Sequence, residues 1–306
     1  MHADELDTSD RVLRALLEQQ HPELAGLPRR PVPSTGTAHA IHRIGAELAA
    51  RLPRRPGQAA RVEKEARWTD RVADCLPLEV PRVHALGRPN EAYPSPWLIV
   101  DWLPGRSAEA DTVPAPGPTA AALARFLRAL HALPPTDGPP PGAHNLGRGE
   151  PLFERDAPTR ESIAVLGHEL DQARALDLWE AGLAAHDPRA KQAWIHGDLC
   201  AGNLLWRNGE LAAAIDWSGL AVGDPSVDLL PAWNMFGPEQ RAAFRSALEV
   251  DDATWTRGRA WALSQAAIAL PYYIDTNPSI VAQSRRILRA LQIERSSGQS
   301  TRRHRL

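Results

Sequence analysis

Two polar turns joined by a short apolar hairpin constrain this chain more than any other feature. The segment Trp194-Ile195-His196-Gly197-Asp198-Leu199-Cys200-Ala201-Gly202-Asn203-Leu204-Leu205-Trp206 is followed by Asn208-Gly209 and then by Ile215-Asp216-Trp217. Residues 193–195 read as a short strand that runs into the His196-Gly197 turn. Residues 204–206 read as a second strand and 211–215 as its return. Asn208-Gly209 is a strong two-residue hairpin signal, because both central turn positions need positive φ. A hairpin that begins just after Asn203 and ends at Asp216 brings those two residues to one end, where the Asp198 loop also lies. Three oxygen-bearing side chains are therefore expected to converge there, a donor set suited to a hard cation such as Mg²⁺. Phosphoryl transfer needs such groups: one acid to orient a hydroxyl and take its proton, and an amide and an acid to hold Mg²⁺ against phosphates.

His196-Gly197-Asp198 with Asn203, then Ile215-Asp216-Trp217, resembles the catalytic signature of the aminoglycoside phosphotransferase family. That family is related to the protein kinases, whose own pattern is H-R-D-x-x-x-x-N followed by D-F-G. Here Gly197 stands in place of the arginine, and Trp217-Ser218 in place of Phe-Gly. Gly223-Asp224-Pro225 with Asp228 is similar to the family's segment after the metal aspartate, whereas Cys200-Ala201 departs from the commoner His-Pro. The resemblance implies an α+β, two-lobed protein-kinase-like fold. An N-terminal antiparallel-sheet lobe over 1–101 would bind nucleotide. A larger, mostly helical lobe over 102–294 would carry catalysis and the substrate, with 295–306 as a disordered tail. It also implies roles: Asp198 as the catalytic base, Asn203 and Asp216 as Mg²⁺ ligands, and ATP or GTP as donor.

Within the first lobe, the polar turn Ser34-Thr35-Gly36-Thr37 sits where the family covers the nucleotide phosphates. Its hydroxyls and backbone N–H groups would hydrogen-bond phosphate oxygens. Two antiparallel strands are expected over 40–44 and 48–52, joined around Gly45. Arg51 alternates with Leu48, Ala50 and Leu52, so it is expected to face away from the apolar side. By resemblance it takes the place of the strand lysine that touches the α- and β-phosphates, with Arg54 and Arg55 as competitors. Residues 62–72 read as a helix, whose Glu65 resembles the glutamate that holds the strand cation, and Glu63 is the alternative. Residues 76–83 read as a kinked edge strand and 97–100 as a buried strand. The run from Asp101 to Leu103 resembles the hinge whose backbone reads a purine edge.

Elsewhere, residues 28–33 read as a breaker-rich connector, and 119–130 as a core helix ended by His131, read as a surface or capping residue rather than a catalytic one. Residues 134–141 read as a mobile Pro/Gly-rich excursion, and 159–185 as one long helix or two. The formal net charge of −2 gives no reason to expect a nucleic-acid partner. The two cysteines, Cys75 and Cys200, form no zinc or disulfide framework, and no apolar run is long enough for a bilayer. The N-terminus lacks a signal-peptide pattern, so the expectation is a soluble, cytoplasmic monomer or homodimer.

The expected partners are a nucleoside triphosphate and a small hydroxylated molecule. An antibiotic of aminoglycoside, macrolide or nucleoside type, with resistance as the outcome, is the leading reading. The acids of the second half are scattered, as a polycation site would not want, and its many tryptophans would suit a flatter acceptor if they lined the cleft. A primary-metabolite kinase for choline, homoserine or a sugar competes, as does a catalytically silent kinase-like binding module.

Overall fold

The computed structural model describes residues 5–33, 36, 38–108, 112–167 and 169–293. The chain starts with α1 (Asp10–Gln20) and α2 (Pro22–Ala25), followed by β1 (Arg29–Val32), β2 (His39–Ile44) and β3 (Leu48–Pro53). After α3 (Ala59–Ala73) come β4 (Val83–Gly87) and β5 (Trp97–Asp101). The five strands form one antiparallel sheet in the order β1-β2-β3-β5-β4.

Strand periodicity explains how this sheet is covered on both faces. Ala50 and Leu52 of β3 point to one side, with Ile44, Trp97 and Ile99, and there they meet Val12, Leu13, Leu16 and Leu17 of α1. Those four positions recur at helical spacing, so one stripe of α1 closes that core. Ala49 points to the other side, with Leu98 and Val100, and meets Val62 of α3. Arg51 has the parity of Ala49. It faces away from the side of Ala50 and Leu52, as the alternation predicts, and α3 covers that second face and leaves Arg51 only 9% exposed.

Two further strand expectations shift. The breaker-rich run 28–33 contains β1, whose Pro31 is tolerated because β1 is an edge strand with no partner needing its missing N–H. The other edge strand is 83–87 rather than 76–83. Pro77 and Pro81 keep the earlier residues out of the ladder. Glu79 instead exchanges backbone hydrogen bonds with Ala212 and Ala214, in the hairpin that follows Asn203.

The second part is mostly helical: α4 (Pro116–Ala132), α5 (Asp156–Val165) and α6 (Gln172–Ala184) come first. Then follow β6 (Ala193–Ile195), β7 (Leu204–Arg207), β8 (Glu210–Ala214) and β9 (Ala221–Gly223), and finally α7 (Pro231–Asn234), α8 (Pro238–Leu248), α9 (Asp252–Tyr273) and α10 (Pro278–Ala290). The run 159–185 is thus two helices. Leu123, Phe126, Leu127 and Leu130 of α4 are fully buried at helical offsets, as expected. Asn277 caps α10 by accepting from the Ile280 N–H at 3.2 Å, ahead of a first-turn proline.

The parts meet through α3. Its Val62 belongs to the sheet core, while Trp68 and Val72 belong to the large helical core. Trp68 lies 5.6 Å from the Trp194 ring of β6. The expected loop 134–141 is tied down rather than free-standing. Pro134 and Pro139 carbonyls each accept at 2.8 Å, from Trp194 Nε1 and the Val222 N–H respectively. The tail from 295 lies outside the described residues. No helix among the described residues is long and apolar enough to cross a membrane.

Candidate active site

The hairpin forms as its sequence dictates. Asn208 and Gly209 have φ of 53° and 84°, and β7 pairs with β8 from Leu204 opposite Ala214 to Arg207 opposite Glu210. The Ile215 N–H donates to Asn203 O at 2.9 Å, closing the mouth of the hairpin. The Asn203 side-chain Nδ2 then donates to Asp198 O at 2.8 Å. His196 supplies a second link. Its Nδ1 accepts from the Asp198 N–H at 3.3 Å, and its Nε2–H donates to Ile215 O at 3.1 Å. A carbonyl can only accept, so the imidazole proton sits on Nε2. The ring stacks on Trp217 with centroids 4.8 Å apart. Two hydrogen-bonded routes therefore join Asp198 to the residue preceding Asp216, and the structure brings Asp198, Asn203 and Asp216 together.

Glycine is required where the loop crosses the segment after Asp216. Gly197 has φ +79°, and a Cβ there would lie 2.8 Å from Gly219 O. Behind the crossing is Asp228, fully buried, which accepts the N–H groups of His196 at 2.9 Å and Gly197 at 2.7 Å. His131 is not a surface residue: it is half-buried, with Nε2 3.1 Å from Asp228 Oδ2. Nearby, Asp224 caps its own turn at the Ser226 N–H and is gripped by the Arg257 guanidinium at 2.7 and 3.3 Å.

Arg51 bridges the sheet to this loop. Its Nη1 pairs with Glu65 Oε1, and its Nη2 reaches Asp216 Oδ1 at 2.6 Å. Glu63, the alternative, is exposed, and Arg54 spends its Nε on His39 O. Asp216 sits in the left-handed region, with φ 61° and ψ 70°. Burial is the largest single influence and raises its pKa, but the Arg51 charge, joined by smaller contributions that include a hydrogen bond from the Ser218 side chain, outweighs burial and holds the carboxyl below the usual carboxylate range. His39, 3.5 Å from Arg51 Nη2, is driven down to about 3 by burial and then by the arginine, so it is neutral at pH 7.

A family model described as the phosphotransferase enzyme family matches residues 29–261. The chain belongs to that family. It is therefore a phosphotransferase with an alcohol group as acceptor. Its fold is that of solved kinase-like phosphotransferases. One is the GDP complex of a variant of an aminoglycoside 2'-phosphotransferase-IIIa, with 19% identity, a TM-score of 0.71, and 93% of this chain and 97% of that chain covered. Another is an ADP-bound aminoglycoside phosphotransferase, APH(2'')-Ib, with 16% identity, a TM-score of 0.57, and coverage of 93% and 97%. A third is the macrolide 2'-phosphotransferase MphH from Brachybacterium faecium, with 22% identity, a TM-score of 0.59, and coverage of 92% and 97%. Comparison with curated protein sequences gives no match.

In the phosphotransferase, Mg²⁺ can be tested against donor chemistry. Asp216 is an ionised carboxylate with Oδ1 on Arg51 and a hydrogen bond from the Ser218 side chain; Asn203 has spent its Nδ2, and its Oδ1 is an acceptor. Both are hard oxygen donors. Among the described residues no group of three or more His, Cys, Asp or Glu could hold a metal. The set fits an ion that takes its remaining ligands from phosphate and water, as Mg²⁺ does.

At the end of β5, the Asp101 N–H donates to Arg82 O and the Trp102 N–H to Glu47 O. The Asp101 side chain is spent on the Arg82 N–H and on His84. Leu103 follows directly. Of the expected phosphate turn, Gly36 is described and is exposed, while Ser34, Thr35 and Thr37 lie outside the described residues.

Sequence reasoning missed three cations. Arg148 Nη1 lies 3.0 Å from Asp198 Oδ1. Arg61 donates from Nε to His144 O at 3.2 Å, and Lys64 from Nζ to Ser218 O at 2.7 Å. A signal existed for two of them: Arg61, Lys64, Glu65 and Trp68 fall at i, i+3, i+4 and i+7, one stripe of α3. Arg148, from a Gly-Arg-Gly loop fifty residues upstream of its partner, carried none. Trp179, Trp194, Trp206, Trp217, Trp233, Trp255 and Trp261 are all buried in the helical core. Cys200 is not poised as a nucleophile, because burial and then the Asp198 charge push its thiol up to about 12.

Proposed function

We propose that the enzyme moves the γ-phosphate of ATP or GTP to a hydroxyl of a small natural product, foremost an antibiotic, and so confers resistance. The observation that carries this reading is the hydrogen-bonded set Asp198, Asn203 and Asp216 beside the Arg51–Glu65 pair. Asp198 orients the acceptor hydroxyl in line with phosphorus and takes its proton late. Asn203 and Asp216 hold Mg²⁺, which when bound offsets the charge that gathers on the phosphates during transfer. Arg51, kept straight by Glu65, turns from Asp216 towards the α- and β-phosphates when nucleotide enters. The Asp101 carbonyl and the Leu103 N–H read the purine edge, and the turn from Ser34 to Thr37 covers the phosphates. Because the transition state is loose, positioning and electrostatics carry most of the rate.

Mass spectrometry of antibiotic and metabolite panels incubated with each nucleotide tests the reading. A phosphate adduct on a hydroxylated antibiotic supports it. Adducts confined to choline, homoserine or sugars would move the enzyme to primary metabolism. No adduct together with no nucleotide binding would leave a silent kinase-like module.

A further inference from the structure

The group facing the catalytic carboxylate is a guanidinium held on a rigid loop. Arg148 lies between Gly147 and Gly149, which have φ of +67° and +87°, and Leu146 before them is left-handed as well. Asn145, 1% exposed, fixes this loop. It accepts the Gly142 N–H at 3.0 Å and donates Nδ2 to Arg148 O at 2.8 Å and to Gly219 O at 3.3 Å. The Asp224 N–H closes the loop onto Gly149 O at 2.8 Å. Arg148 is thus presented to Asp198 by a built scaffold and is itself only 19% exposed.

Arg61 of α3 is tied to the same loop, donating from Nε to the carbonyl of His144, four residues before Arg148. Burial first, and then the Arg148 charge, lower Arg61 below its ordinary value. Asp216, Asp198 and Glu65 oppose this without cancelling it. Two guanidiniums that repel each other in a partly dry site are relieved by an anion between them, and guanidinium matches the paired oxygens of phosphate and carboxylate.

We propose that Arg148 and Arg61 form an oxyanion subsite beside Asp198, which receives phosphate or carboxylate oxygens next to the reacting hydroxyl. This deepens the phosphotransfer reading and rests on it. Two sources carry that chemistry: the γ-phosphoryl group of the donor, and an acidic substituent on the acceptor alcohol. Either way, an acceptor with ammonium groups close to the reacting hydroxyl meets repulsion.

Calorimetry on wild type, Arg148→Ala and Arg148→Lys, with Mg²⁺ and either the diphosphate or the β,γ-imido triphosphate, reads the donor arm. If the γ-phosphoryl occupies the subsite, Arg148→Ala loses about tenfold in triphosphate affinity, one charge-assisted contact, while diphosphate affinity holds. Arg148→Lys recovers part of the loss. Thermal stabilisation by inorganic phosphate of enzyme already loaded with imido triphosphate reads the acceptor arm. A shift in wild type that is absent in Arg148→Ala assigns the subsite to the acceptor. Wild-type behaviour of Arg148→Ala towards all three probes overturns the proposal but leaves phosphotransfer standing. Wild type that binds neither nucleotide removes the phosphotransfer reading and the subsite together.

Discussion

Asp216 shows how much one residue is asked to hold. It adopts a left-handed backbone, lies among groups that desolvate it, and stays ionised because Arg51 touches it. Asp198 has its side chain 31% exposed, with Oδ1 paired to Arg148. The two carboxylates should therefore separate on substitution. Asp198→Ala abolishes transfer and leaves Mg-nucleotide affinity within about twofold, since base and binding are distinct tasks. Phosphate release into an acceptor and nucleotide titration check both halves, and transfer at the wild-type rate would remove the assigned role. Arg51 and Glu65 were singled out by the family resemblance, Arg51 also by its place within the strand; the burial of Arg51 was not legible, because parity says nothing of what covers each face. Arg148 was illegible: loop topology, not local pattern, brings it to Asp198.

At the scale of elements, the loop that carries Asp198 is held from behind by Asp228 as well as by its own His196 and Asn203. Gly197→Ala puts a Cβ into the Gly219 carbonyl at a positive φ, which costs about 1–2 kcal/mol for the backbone alone. A lower thermal midpoint and a lower kcat are expected; a midpoint equal to wild type would mean the crossing is loose. Asp228→Ala strands two buried N–H groups, a cost of about 2–4 kcal/mol, and lets His131 lose its partner. Denaturant unfolding measures that cost, and kcat should fall further than nucleotide affinity does. The hairpin was legible because Asn-Gly fixes a turn and the runs on either side of it are apolar. The edge strands were not: Pro31 read as a breaker although it is harmless at an edge, and Pro77 and Pro81 read as tolerated although they keep the residues before β4 out of the ladder. The loop 134–141 read as mobile because its anchors, Trp194 and Val222, lie far along the chain.

For the whole molecule, α3 is the link between sheet and helical part, and its cations set a pH dependence. Lys64 Nζ reaches the Ser218 carbonyl, and burial, aided by Arg61 and Arg148 against Glu65, pushes its pKa down to about 7 from 10.5. Between those values the unfolded chain binds the proton that the folded chain has released, so this group makes stability rise with pH from about 7 to about 10. Below pH 7 both states are protonated and its slope vanishes. Unfolding curves of wild type and Lys64→Met across pH 6–10 should diverge over that window, wild type gaining on the variant as pH rises; a constant difference would show that Lys64 keeps its proton.

The central claim is that one point in the cleft divides into a hydroxyl-facing acid and a metal-facing acid. Titration of nucleoside triphosphate with and without Mg²⁺, in wild type, Asp198→Ala and Asp216→Ala, tests it most directly. Mg²⁺ should tighten binding equally in wild type and Asp198→Ala, and should do nothing for Asp216→Ala. An undiminished Mg²⁺ effect in Asp216→Ala, or its loss in Asp198→Ala, would contradict the account.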